Sequence, residues 1–137
     1  MALETYAYFY VEGFEGPSAE ISELLQLTPT RTREKGDPRL PGRLWETGSW
    51  QLHSPLPRTE PAQDSHILAL LEILESRRDQ VLQATAAHQC GLQCVGYYTN
   101  ENCPFFMEAE LISRIAAFGL SVGFDLYCQC DHDLPDA

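Results

Sequence analysis

The chain has 137 residues, 44% of them hydrophobic and 21% charged, a composition of one folded globular domain that excludes a disordered or low-complexity polypeptide. Twenty acids against nine bases give a net charge of −11, so duplex nucleic acid and anionic membranes are poor partners. No run approaches the roughly 18–20 apolar residues of a membrane span, and the opening Met-Ala-Leu-Glu-Thr-Tyr lacks the basic head and apolar stretch of a signal peptide, so a cytoplasmic protein is expected.

Residues 4–12 place Tyr6, Tyr8 and Tyr10 on one side and Ala7, Phe9 and Val11 on the other. That is the two-residue period of a strand apolar or aromatic on both faces. Gly13, Gly16 and Pro17 end it, and Ser18 has the character of a helix N-cap before acids in the first turns. Ile21, Leu24 and Leu25 form the inward stripe of this helix, and Thr28-Pro29 stops it because the residue before proline is pushed out of the α region. Residues 30–41 read as a loop punctuated by Gly36, Pro38 and Pro41. Residues 44–52, with Trp45 and Trp50, read as a second strand with a kink or bulge at Gly48. Residues 54–61, Ser-Pro-Leu-Pro-Arg-Thr-Glu-Pro, read as a mobile, linker-like segment.

Asp64 is placed to cap the next helix, whose inward stripe is Ile67, Leu70, Leu71 and Leu74, continued by Val81 and Leu82. Glu75-Ser76-Arg77-Arg78 interrupts the stripe and divides it into two short helices. Residues 91–99 read as a third strand, 100–104 as a turn and Phe105-Phe106 as an apolar return. Residues 108–118 read as the last helix, with Leu111, Ile112 and Ile115 inward and Gly119 as a left-handed stop. Residues 120–130 alternate Leu120, Val122, Phe124, Leu126 and Cys128 with Ser121, Gly123, Asp125, Tyr127 and Gln129, a closing strand before an acidic, frayed tail at 131–137. The order β-α-β-αα-β-α-β describes a single α+β domain over residues 1–130. It predicts a roughly four-stranded mixed or antiparallel sheet with helices on one face, a variant of the ferredoxin-like sandwich.

Four pieces of this sequence stand in a recognisable order. They are the aromatic first strand ending in Gly13; Leu25-x-Leu27-x-Pro29-Thr30; Lys35-Gly36-Asp37-Pro38 with Trp45; and Phe124-Asp125-Leu126-Tyr127 after Leu120. Together they resemble the mostly bacterial family catalogued as domain of unknown function 4279, from Tyr6 to Tyr127. Two positions depart from its usual pattern: Gln26 stands where a glycine is usual between the two leucines, and Glu108 where a serine is common at the start of the last helix. The resemblance implies a fold and carries over no catalytic residue.

Charge is unevenly placed. Residues 31–43 carry five bases (Arg31, Arg33, Lys35, Arg39, Arg43) and two acids (Glu34, Asp37), or +3, leaving 18 acids and four bases, or −14, elsewhere. Arg31, Arg33, Lys35 and Arg39, with the backbone amides around Gly36, are a candidate site for a phosphate or carboxylate. The competing reading is a solvated loop whose turn is fixed by Asp37 and Pro38. No phosphate-binding glycine motif accompanies the loop.

The second candidate is a sheet face bearing Tyr6, Tyr8, Tyr10, Asp125 and Tyr127, formed if the first and last strands are neighbours. An open tyrosine face suits protein recognition or self-association, since tyrosine combines apolar area with a polar tip. The alternative is that residues 39–62, with Trp45 and Trp50, lie over it. Asp125, a carboxylate in an apolar strand, needs a donor, and Arg31, Arg33 or Lys35 would supply one in a structural clamp.

The five cysteines (Cys90, Cys94, Cys103, Cys128, Cys130) are expected as reduced thiols. Cys90-x3-Cys94 and Cys128-x-Cys130 do not have zinc-knuckle spacing, and residues four apart on a strand are about 13 Å apart, too far to share a metal. His88 and His132 would have to be recruited, and no metal or other cofactor is expected. The histidines at 53, 66, 88 and 132 are dispersed, no nucleophile elbow is present, and no catalytic residue is assigned. The sequence thus leads to a non-enzymatic protein-binding module, acting on another protein or as a homodimer through the tyrosine face. A narrower form is an immunity-like protein that neutralises a basic partner. The alternative is a small-ligand or anion-binding domain built on residues 30–39.

Overall fold

A computed structural model describes residues 2–99 and 105–129. The expected turn at 100–104, with Cys103, and the stretch from Cys130 through the 131–137 tail, with His132, lie outside the described residues. In chain order the elements are β1 (Ala2–Phe14), α1 (Ser18–Leu25), β2 (Arg31–Arg33), β3 (Pro38–Leu40), β4 (Arg43–Leu44), β5 (Gly48–His53), α2 (Gln63–Glu75), α3 (Arg78–Ala87), β6 (Gln89–Tyr98), α4 (Ala109–Ala117) and β7 (Ser121–Cys128). Five strands form one sheet in the order β2-β5-β1-β6-β7, and β3 pairs only with β4 in a small hairpin. β1 runs antiparallel to β5 and β6, β2 antiparallel to β5, and β6 parallel to β7.

The α+β class with helices against one sheet face follows the sequence pattern, and the details extend it. The sheet has five strands because β2, three residues of Arg-Thr-Arg read as loop, pairs with β5. The expected strand over 44–52 is divided: Trp45 donates its N–H to the Asp37 carbonyl and accepts from the Gly36 N–H, both at 2.8 Å. These bonds hold Trp45 in the 36–45 loop and leave β4 and β5 on either side. The parallel strands β6 and β7 are immediate neighbours, unlike the divided pair of a split β-α-β unit.

The odd-numbered face of β1 builds the core. Ala7, Phe9 and Val11 are buried with Trp50 of β5 and Leu92 and Cys94 of β6, against Leu25, Ile67, Leu70, Leu71, Leu74, Val81 and Phe118 from the helical layer. The Trp50 indole N–H donates to Ser22 Oγ at 2.9 Å, joining β5 to α1. Arg114 of α4 forks onto the Glu75 carboxylate of α2. Two residues assigned inward are outward: Leu82 is 39% and Ile112 52% exposed. Each lies next to a buried stripe residue (Val81, Leu111), and the register of the helix axis against the sheet decides which of two adjacent apolar residues is covered.

Helix ends show where local rules gave way. Ser18 is the first residue of α1 and makes no side-chain cap. Its N–H donates instead to the Glu34 carboxylate at 2.8 Å, and its hydroxyl to the other oxygen of that carboxylate, so an acid from the basic loop completes the positive end of the helix. At the other end Gln26, not Thr28, is the C-cap, in the left-handed region at φ 55. This is the position where the resembled pattern has glycine, and a side chain there is strained. Gln26→Gly is expected to raise the free energy of unfolding by roughly 0.5–1 kcal/mol, read from urea midpoints, after the entropy glycine adds to the unfolded chain is subtracted.

The 54–61 segment, expected as a free linker, is tied down. Ser54 N–H donates to the Ala7 carbonyl and Thr5 N–H to the Arg58 carbonyl. The fully buried His66 meets Ser54 Oγ at 2.7 Å through Nδ1 and the Glu60 carbonyl at 3.0 Å through Nε2. A carbonyl only accepts, so Nε2 carries the proton. Ser54 Oγ, which already accepts the Leu56 N–H, turns its own hydrogen to Nδ1.

Candidate functional site

Because Ala7, Phe9 and Val11 face the helices, the even residues of β1 face the other way. Strand register then fixes their neighbours. Tyr8 lies between His53 and Gln93, Tyr10 between Gln51 and Gly91, and Tyr6 beside Val95. Val95 pairs in turn with Asp125, and Tyr97 with Tyr127. The predicted group Tyr6, Tyr8, Tyr10, Asp125 and Tyr127 therefore shares one face, although β6 separates β1 from β7. Among the described residues no helix or strand lies over this face. The 39–62 cover is not present: Trp50 is in the core on the opposite side, and Trp45 sits at the β2 edge.

Two residues that the sequence reading left out complete the array. The His53 imidazole stacks on Tyr6 and Tyr8 with ring centroids at 5.5 and 5.1 Å, and Tyr97 stacks on Tyr127 at 5.0 Å. Residue register could have found Tyr97, since it follows Gln93 and Val95 at the two-residue period. Arg58, on the tied segment, caps one corner, with its guanidinium 3.8 Å from the Tyr6 ring centre and a bond to Glu4. Gly91 is required here: a Cβ would lie 2.3 Å from Tyr10 Oη, so its absence lets Tyr10 lie flat across β6. Burial, chiefly, raises the pKa of Tyr6, Tyr8 and Tyr10, with Asp125 adding at Tyr8. The phenols thus stay protonated and available as donors. Burial, then Arg58 and Arg31, lower that of His53 from 6.5, so the imidazole is neutral at pH 7. That group favours the fold fully above its ordinary pKa and progressively less as pH falls toward the lower native value.

Asp125 is not clamped by the basic loop. Its carboxylate accepts from Gln93 Nε2 at 2.9 Å, on a strand separated by two others from the arginine strand β2. Lys35 is directed elsewhere, to Glu15, and does not join the arginines. Glu34 is engaged at Ser18, and one Asp37 oxygen accepts the Glu34 N–H at 2.8 Å. What the loop does bring together is Arg31 and Arg33, on the tyrosine side of β2, with Trp45. The Arg33 and Arg39 guanidiniums lie 3.6 and 4.4 Å from the Trp45 ring centre. A groove of about 540 Å³ opens between Arg31, Arg33, Asp37, Trp45, Ser49 and Gln51.

The cysteines are corrected at one position: Cys128 is disulfide-bonded, whereas Cys90 and Cys94 are free. Burial pushes both free thiols up to about 12. The thiolate is the reactive form, so neither is expected to react appreciably with iodoacetamide at pH 7.5 in the native protein, and both should be alkylated in urea, as mass spectrometry of the two samples would show. Rapid native labelling of Cys94 would contradict its burial. Among the described residues no three His, Cys, Asp or Glu side chains come together to hold a metal ion, and no helix is long and apolar enough to cross a membrane.

A mixed five-stranded sheet backed on one face by its helices, with an aromatic opposite face, defines an α+β domain. Within that class the assignment is direct: the chain belongs to the family described as Domain of unknown function (DUF4279), whose model matches residues 3–129. No curated protein and no solved structure matches the chain.

Proposed function

We propose that this chain is a non-enzymatic protein-recognition module whose contact surface is the tyrosine face of the sheet. The observation that carries the reading is that face itself, with Tyr6 and Tyr8 stacked on His53, Tyr10 next along β1, Tyr97 stacked on Tyr127, and no helix or strand over them among the described residues. An isolated domain gains nothing from leaving such an array partly exposed, with Tyr127 at 48%, and large aromatic patches rimmed by charge are a mark of interfaces. The face carries Arg31, Arg33 and Arg58 against Glu4, Glu12 and Asp125, so it is locally balanced within a body of net charge −11. Another protein, or a second copy in a homodimer, can dock there without local repulsion. An immunity-like role toward a basic partner is the narrower form, supported by the net charge alone, and it requires binding that weakens with salt. The reading places the protein in the cytoplasm on the two free thiols among the described residues, with the Cys128 disulfide counting against a reducing compartment.

The test is a photo-crosslinking amino acid placed at Tyr8 and, as control, at Leu82 on the helical side, in cells that produce the protein. A discrete adduct from position 8, with another protein or with a second copy, and none from position 82 supports the reading. Equal adducts from both positions, or none from position 8, would overturn it.

A further inference from the structure

We infer that the groove between β2 and Trp45 is a binding site for a small dianion, a phosphate or a dicarboxylate, held by Arg31 and Arg33. Residues i and i+2 of a strand stand about 7 Å apart on one face, so β2 presents two guanidinium groups side by side. Neither forms an ion pair among the described residues. The acids that would neutralise them are occupied or directed away: Glu34 by Ser18, Asp125 by Gln93. Like charges at this spacing repel, and the one carboxylate that lines the groove among the described residues, Asp37, makes no ion pair with either.

The guanidinium of Arg33 is also held in place. It lies on the Trp45 ring at 3.6 Å, and Trp45 is itself fixed by its two backbone bonds across the loop. Of its donors, Nη2 makes one long bond to the Thr47 carbonyl at 3.3 Å, and Nε is buried without an acceptor. Arg39 occupies the same indole, so the tryptophan serves as a support for cations and not as a stacking surface for a ligand ring. The held Arg33 fork with its unmet donors, beside the unpaired Arg31 fork, matches the oxygens of a dianion, and binding there has only Arg31 to order. Ser49 and Gln51, the cross-strand partners of Arg33 and Arg31, add neutral hydrogen-bonding groups. Asp37 at the opposite wall disfavours a second anion and accepts a hydroxyl or ammonium on the same ligand. The volume of about 540 Å³ suits a metabolite-sized molecule. Arg31 and Arg33 also border the proposed protein interface, but anion titration reads the groove alone, so the two proposals stand or fall separately.

The experiment is titration of the full chain with inorganic phosphate and, separately, with succinate, at constant ionic strength set by sodium chloride. The reporter is the Arg33 Nε–H resonance, assigned with the Arg33→Gln variant. Saturating displacement by one of the two anions supports the site and identifies the ligand class; saturation by both supports a dianion site without preference. Arg31→Gln, at an exposed side chain without a hydrogen bond among the described residues, is expected to weaken that binding at least tenfold, as loss of one charge-assisted contact does, while Arg77→Gln leaves it unchanged. A shift that stays linear with concentration, equals that given by chloride, or persists undiminished in Arg31→Gln would overturn the inference.

Discussion

Trp50→Ala is expected to lower the free energy of unfolding by about 4 kcal/mol, in the range of large aromatic truncations in a core, while Trp45→Ala changes it by less than about 1 kcal/mol. The two indoles stand five residues apart and do opposite work. Trp50 is wholly buried against Phe9, with its N–H on Ser22; its removal opens a cavity beneath the centre of the sheet and leaves the α1 hydroxyl without its donor. Trp45 is part-exposed at the sheet edge, where its contacts are the guanidiniums of Arg33 and Arg39. Urea denaturation of both variants followed by far-ultraviolet circular dichroism compares them directly. A Trp45 variant as unstable as the Trp50 variant would mean that the indole supports the fold, and the groove would lose its main claim to be a prepared site.

His66→Ala is expected to cost about 3 kcal/mol, because it both empties a buried volume and strands two polar groups. The Ser54 hydroxyl and the Glu60 carbonyl, both part-buried, each lose their imidazole partner. The damage should be centred on the 54–61 segment. Arg58 would lose its station over Tyr6, and amide hydrogen exchange should rise at Thr5, whose N–H donates to the Arg58 carbonyl. Exchange that increases uniformly over the sheet would show instead that His66 acts only on global stability. A buried histidine is readily taken for a catalytic one; here both ring nitrogens are engaged in fastening a loop to α2.

Most of the element order was legible because it rests on local periodicity. The alternation in β1 set Tyr6, Tyr8 and Tyr10 on one side and Ala7, Phe9 and Val11 on the other before any neighbour was known, whereas Asp125, Tyr127, His53 and Tyr97 join the tyrosines only through strand pairing. The break at Ser76-Arg77 and the left-handed Gly119 were equally local. β2 escaped notice because Arg-Thr-Arg has no hydrophobic period; it is a strand only through the bonds that β5 offers it. Leu82 and Ile112 escaped for the complementary reason, since adjacent apolar residues compete for one buried stripe and packing chooses between them. The Asp125 clamp was reasoned correctly from the need of a carboxylate for a donor, but the nearest donor was a glutamine on the adjacent strand.

The sequence by itself determined that this is an acidic α+β domain with a first strand aromatic on one side and apolar on the other, because composition and period are properties of the chain alone. Only the tertiary structure decided the strand order and the adjacency of β6 and β7. It also decided which charges would be matched: Glu34 at the α1 terminus, Lys35 at Glu15, and Arg31 with Arg33 left together beside Trp45. The reason is physical. A charge is neutralised by whatever lies within a few ångströms of it, and in this chain those partners come from positions up to 54 residues away, as Arg58 and Glu4 do.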